Sequence, residues 1–389
     1  MEPPSVATTP STAHPVATVR HARRGHESGT LSALRRLTTS VTSPEMPLLS
    51  VLDLAPVGRG YTPADALGTS LRLAREVERL GYHRFWVAEH HNMPGIASSS
   101  PAVLIAHLAA GTTTLRLGSG GVMLPNHSPL AVAEQFGMLE ALHPGRIDLG
   151  LGRAPGSDGL AAAALRRGRT MDGADDFPAQ LAELVGYFDG SYADVHPFGS
   201  IHAVPARGYS PDIWLLGSSD FSAHLAGQLG LPFSFAHHFA AGNTRAAVQT
   251  YRAAFRPSRV LERPYLSLGV NVVCAPSGEE AQWLAGSGAL AILRLRQGRP
   301  DVYPTPEEAA AYDYTPMELQ TVRSWTGSHV IGTPDAVRQG LLDLVADTGA
   351  DELMITTNLH SPDARIESYQ LVAEVMELSA PRGAVSLSQ

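Results

Sequence analysis

Two adjacent histidine pairs, His90-His91 and His237-His238, stand where an apolar run of the sequence stops. A neutral imidazole at the end of a buried strand can serve as a general base or hydrogen-bond a developing anion. It can equally be satisfied by backbone at the rim of a fold. Neighbouring residues of a strand point to opposite faces, so His90 and His91 should not both enter one cavity. A metal site would want two histidines on one face, one residue apart, with carboxylates nearby. Neither pair has that spacing, and no metal is expected. A third run, 147–151, delivers Arg153 into a loop of Gly and Pro. Its planar guanidinium can pair with a phosphate through two charge-assisted bonds; the plainer reading is an Arg on a solvated loop. Ser218, Ser219 and Ser222 open a helix directly after another buried strand. Free N–H groups and hydroxyls at a helix N-terminus attract anions, whereas capping alone needs one hydroxyl. Gly120-Gly121 near a strand end either admits a flat ligand or marks a bulge. Gly150, Gly152 and Gly156 have the wrong spacing for a dinucleotide fingerprint, and no acidic residue follows where one is needed.

Strands are expected at 48–56, 84–89, 115–124, 147–151, 213–217, 233–237, 266–274 and 351–357. Helical patterns fall between them, including one at 279–297 and one capped at 333–335. Residues 300–328 read as an insertion and as the lid of whatever site the strand ends form. Eight alternations without a break in composition favour one (β/α)8 TIM barrel with insertions over a doubly wound sheet. The polar groups above, joined by Asn358 and His360, then gather where a barrel puts its active site, at the C-terminal strand ends. Residues 1–45, rich in Ser, Thr, Pro and Arg, are expected to be a disordered tail, 46–379 the barrel, and 380–389 a flexible end.

Composition removes several alternatives. All 29 residues of the Lys+Arg total are Arg. Without lysine there is no imine-forming amine and no phosphate-loop lysine. The single Cys274 permits neither an internal disulfide nor a cysteine-based metal site. A net charge of −8 without a dense basic patch outside the tail argues against nucleic acid. No apolar run of about eighteen residues is present, so no membrane span is expected. No apolar core of a secretory signal is present either, and the expectation is a cytoplasmic protein.

Five stretches together resemble the bacterial luciferase-like, flavin-dependent monooxygenases. They are AEHHNMPG (88–95), LGSGGVMLPNHSPLAVAEQ (117–135), GRIDLGLGRAPGSD (145–158), WLLGSSDFSAHLAGQLGLPFSFAHHF (214–239) and IGTP (331–334). The resemblance spans 48 to about 378 and is nearer to tailoring oxygenases of aromatic polyketide pathways, a part of antibiotic biosynthesis, than to light-producing members. It implies a TIM barrel, usually a homodimer, that binds reduced FMN (FMNH2) as a diffusible substrate. A separate NAD(P)H-dependent flavin reductase supplies it. O2 then adds to give a C4a-hydroperoxide that passes one oxygen to a small hydrophobic molecule. By the same resemblance Leu54, Ala55, Gly120 and Gly121 line the flavin ring, the last two around a non-proline cis peptide. Arg153, Ser218, Ser219 and Ser222 match phosphate-binding positions, and Ser218 stands where luciferases carry an acidic residue. His90 matches the catalytic histidine, and Glu134 a carboxylate near the dimer contact. Relatives that use deazaflavin F420 transfer hydride without oxygen, and degenerate relatives only bind flavin; these are the alternatives.

Overall fold

Nine strands form in the computed structural model, which describes residues 46–154, 156, 158–166, 176–191 and 197–379. The two expected tails lie outside the described residues. The strands are β1 (Leu48–Asp53), β2 (Arg84–Val87), β3 (Arg116–Met123), β4 (Ile147–Gly152), β5 (Asp212–Gly217), β6 (Phe233–Phe235), β7 (Leu266–Cys274), β8 (Val330–Gly332) and β9 (Glu352–Thr356). All pair in parallel. The ring β1-β2-β3-β4-β5-β6-β7-β9 closes through β9 on β1, with β8 attached only to the far end of β7. The fold is the expected (β/α)8 TIM barrel. All nine residues of β7 are buried, as a strand covered on both faces requires. The helices between strands are set locally. Pro63–Leu80, for example, starts at a Thr62–Asp65 capping box and stops at Gly81, whose φ of 91° suits glycine.

The insertion is larger than 300–328. The helix Gly278–Arg296, expected to be an ordinary barrel helix, contributes nothing to the main core between strands and helices. It buries Ala281 and Leu284 against Val273 and Leu359, and Leu290 and Leu293 against Ala309. The helix that covers this part of the barrel is Pro334–Thr348, whose Val337 and Leu341 join the main core. An amphipathic pattern says that a helix packs, not on what, so the exchange was invisible in the sequence. The stretch 278–332 therefore forms a cap. Its segment around Tyr303 is stitched to the loop after β1. Tyr303 N–H donates to the Val57 carbonyl and Arg59 N–H to the Tyr303 carbonyl, both at 2.9 Å, and Arg59 pairs with Asp301 at 2.9 Å.

At the opposite end the barrel is plugged by buried charge. Arg84, at the start of β2, donates to Asp148 at 2.7 Å and to Glu352 at 2.8 Å. Asp148 also accepts from the Trp86 indole at 2.9 Å and from Arg116, while Glu352 accepts from Tyr265 at 2.9 Å and from Ser50. Burial alone would make Arg84 easier to deprotonate, but Glu352 and Asp148 outweigh it and keep the guanidinium charged. Above the plug Trp86 and Trp214 meet edge to face at 5.0 Å, and Trp214 meets Tyr265 at 5.5 Å. With the lower half filled, the barrel's cavity lies towards the C-terminal strand ends.

Candidate active site

A cavity of about 460 Å³ occupies that upper half. His90, Gly120, Gly121 and Leu54 line it, as do Arg153 and the serines Ser218, Ser219 and Ser222. Ala55 does not. It is fully buried at φ 49°, its N–H bound to Asp53 at 2.8 Å, and it packs with Val57 and Ala66. The chain turns as it leaves β1, which sends the Ala55 side chain behind the wall. Each histidine pair divides, although both lie beyond the strands, which end at Val87 and Phe235, and His237 and His238 open a short helix. His90 and His238 line the cavity, while His91 binds Glu89 at 2.9 Å and His237 binds Thr244 at 2.8 Å. Asn358 lines the cavity too, but His360 turns away to the Arg59 carbonyl at 2.8 Å.

His90 is held in one tautomer. Its Nδ1 lies 3.3 Å from the Gly156 carbonyl. A carbonyl only accepts, so Nδ1 carries the proton and Nε2 keeps a lone pair. Burial pushes the His90 pKa below the ordinary imidazole value, outweighing the Gly156 bond and the nearby Glu89 charge. Near neutral pH the ring is an uncharged base.

The loop that carries His90 is anchored from behind by Glu89, which sequence reading left unassigned. This fully buried carboxylate accepts from His91, from His127 at 2.8 Å and from the Met123 N–H at 3.0 Å. Burial would raise its pKa, yet these bonds win and leave it below the usual range. The triad joins residues 89 and 127 of the sequence, which no local pattern connects.

Gly120-Gly121 marks a bulge: the β3–β4 register shifts between Gly120 and Val122, and the Gly120–Gly121 peptide is cis. A Cβ on Gly121 would sit 2.7 Å from the Gly150 carbonyl oxygen, and one on Gly120 2.6 Å from Leu52. The pair therefore keeps a flat, side-chain-free stretch of wall.

Arg153 is the only arginine of the cavity wall among the described residues. It has no carboxylate within ion-pair distance among them, and its guanidinium lies 4.1 Å from the Phe221 ring centroid. Phe221 belongs to the helix Asp220–Leu229, whose N-terminus carries the serines. Ser219 is the N-cap, but its side chain makes no capping hydrogen bond. The capping explanation for these hydroxyls thus fails at the position where it should apply. Asp220 in the first turn supplies the only opposing charge on that turn.

Compared with known proteins, residues 46–352 match the profile of the luciferase-like monooxygenases. A luciferase-like monooxygenase of Escherichia coli (strain K12) is 47% identical over 328 residues, spanning 84% of this chain and 96% of the relative. The N-acetyl-S-alkylcysteine monooxygenase of Bacillus subtilis (strain 168) is 36% identical over 334 residues, spanning 86% and 99%. The crystal structure of apo-MsnO8 superposes with a TM-score of 0.78 at 40% identity, covering 86% of this chain and 99% of that one. With the barrel, the strand-end histidine and the arginine–serine end of the cavity in place, these similarities identify the chain as a member of the luciferase-like monooxygenase family.

Proposed function

We propose that the protein is a two-component monooxygenase that uses FMNH2 and O2 to epoxidise or hydroxylate a small apolar organic substrate. The observation that carries this reading is the pairing, in one cavity, of an arginine without a carboxylate partner and an uncommitted N-cap serine with a neutral histidine. A flavin phosphate fits Arg153, Ser218, Ser219 and Ser222, and the bare Gly120-Gly121 wall with Leu54 suits a flat ring. When bound, reduced FMN supplies the two electrons that let one atom of O2 enter the substrate while the other leaves as water. His90 contributes a lone pair at Nε2 that can take a proton at the reacting oxygen. Leu52, Trp86 and Met354 exclude water from the same space. In this reading a separate NAD(P)H-dependent reductase delivers the reduced flavin. No helix among the described residues is long and apolar enough to cross a membrane.

Mixing the protein with anaerobically reduced FMN and then oxygenated buffer tests the proposal. Reoxidation should be at least about tenfold slower than for free FMNH2, a stabilisation of about 1.4 kcal/mol. Arg153→Met should weaken FMNH2 binding about 10- to 100-fold, the range for losing one or two bonds to a charged group. Tight binding of reduced F420 with no binding of FMNH2 would replace the reading with F420-dependent hydride transfer. Flavin binding with unaltered reoxidation would leave a non-catalytic flavin-binding protein.

Assembly follows from two neighbouring helices, Pro101–Ala110 and Pro129–Leu142. Both are rich in apolar residues, and part of that apolar surface faces outward. They expose Val103, Met138 and Leu142, at 71%, 53% and 64%. We infer that this face is the homodimer contact. Met138→Glu with Leu142→Glu should convert a dimer to monomer in sedimentation velocity, with little change in thermal stability of the barrel; an unchanged dimer places the contact elsewhere.

A further inference from the structure

The cavity wall has a second polar region that neither the phosphate end nor His90 uses. Going round the barrel, Arg153 follows β4 and the serines follow β5, whereas His238 follows β6, Asn271 lies on β7 and Asn358 follows β9. In a closed ring of eight, β7 and β9 face β3 and β4, so both asparagines stand across the cavity from Gly121 and Arg153. All three side chains line the cavity. Half-buried Asn358 makes no side-chain hydrogen bond among the described residues, and His238 Nδ1 is buried with only the Gly269 backbone beside it, a contact that favours the charged ring but makes no regular hydrogen bond. Asn271 is 5% exposed and uses one side of its amide, donating from Nδ2 to His329 Nε2 at 3.3 Å. His329 in turn meets the Trp325 ring edge to face at 4.2 Å, and Trp325 is itself part of the cavity wall. A barrel strand and the cap thus hold the Asn271 amide between them.

Buried polar groups without partners cost free energy unless something else satisfies them. Here the buried His238 Nδ1 and the amides of Asn271 and half-buried Asn358 share the cavity wall with the apolar cap residues Ile292 and Leu295. We propose that His238, Asn271 and Asn358 form a substrate-reading subsite for the neutral oxygen function, a carbonyl or hydroxyl, of an otherwise apolar molecule. Among the described residues, the only arginine lining the cavity is Arg153, across from these groups. Burial pushes the pKa values of His238 and His329 down to about 4, so neither supplies a cation near neutral pH. Apolar contact with the cap and with Trp325 takes the body of the ligand, and the asparagines and His238 take its head. The placement of the substrate opposite the flavin rests on the function proposed above; the head-group preference does not.

Three probes of one shape test it: 2-acetylnaphthalene, 2-ethylnaphthalene and 2-naphthoate, titrated calorimetrically with and without saturating FMN. The intact protein should bind the acetyl compound about tenfold more tightly than either of the others, the worth of one or two satisfied neutral hydrogen bonds. His238→Phe and Asn358→Leu should each reduce that preference to about threefold or less while leaving the ethyl compound and FMN bound as before. Each variant checks the other against misfolding, since retained binding of the ethyl compound reports an intact cavity. Equal affinities in the intact protein, preference for the naphthoate, no saturable binding of the acetyl compound, or a preference surviving both substitutions would each overturn the subsite. Loss of FMN binding with the acetyl preference intact would instead strike only the flavin reading.

Discussion

Replacing His90 by glutamine should lower oxygenation of any apolar substrate that supports turnover by about 10²- to 10⁴-fold, the usual worth of a positioned general base. Glutamine keeps a polar group of similar reach and can still donate to the Gly156 carbonyl, but it cannot accept a proton. FMNH2 affinity should stay within about twofold, because the phosphate and ring contacts proposed for Arg153, the serines and Gly120-Gly121 are untouched. The pH profile separates a chemical role from a structural one. Burial holds His90 below the ordinary imidazole pKa, so the intact protein keeps the neutral, proton-accepting ring through neutral pH. Activity should fall only as the solution is acidified through that depressed value, on the acid side of about 6.5. In His90→Gln this acid limb should disappear along with most of the rate. A variant that retained full oxygenation would remove His90 from the chemistry and leave it a wall residue.

The largest effect on stability is expected at the other end of the barrel. Arg84→Met keeps the volume of the side chain but removes the cation between Asp148 and Glu352, both fully buried. Stranding one partner of a buried pair costs about 3–5 kcal/mol, and here two carboxylates lose a partner. Arg116 still reaches Asp148, and Tyr265 and Ser50 still donate to Glu352, which keeps the loss near that range rather than double it. Thermal unfolding should shift down by roughly 5–15 °C. Adding Glu352→Gln and Asp148→Asn to Arg84→Met should recover much of the loss, because the uncompensated charge is then gone. A midpoint within about 2 °C of the parent would show that the plug is dispensable. Measured together, the two substitutions separate the ends of the barrel: His90→Gln should leave unfolding nearly unchanged.

The strands were legible because burial on both faces leaves runs of apolar residues bounded by Gly and Pro. Leu266–Cys274 coincides with the expected strand at both ends. Site positions were legible for a related reason. Polar residues that end such runs have to emerge at the rim of a parallel barrel, and the chain direction puts every C-terminal strand end on the same side. That logic reached His90, Arg153 and the serines; which member of each histidine pair faces the cavity was decided past the strand ends, His237 and His238 in a short helix. Ala55, assigned to the flavin ring by resemblance alone, lies outside the cavity lining, in a left-handed conformation just past β1.

By itself the sequence determined the number of strands in the ring, their direction, and the chemical types at their ends. Those depend on local periodicity and on which residues lack an apolar neighbour. Only the tertiary structure decided what is far apart in the chain and adjacent in space. It brought Glu89 to His127 behind the site, Arg84 to Glu352 beneath it, and Asn271 to His329 across the boundary between barrel and cap. It also decided that Gly278–Arg296 closes the cavity instead of covering a strand. Hydrophobic burial does not name its partner, so a helix face or a buried charge is assigned only when the chain has closed and every such group has found a partner or been left without one.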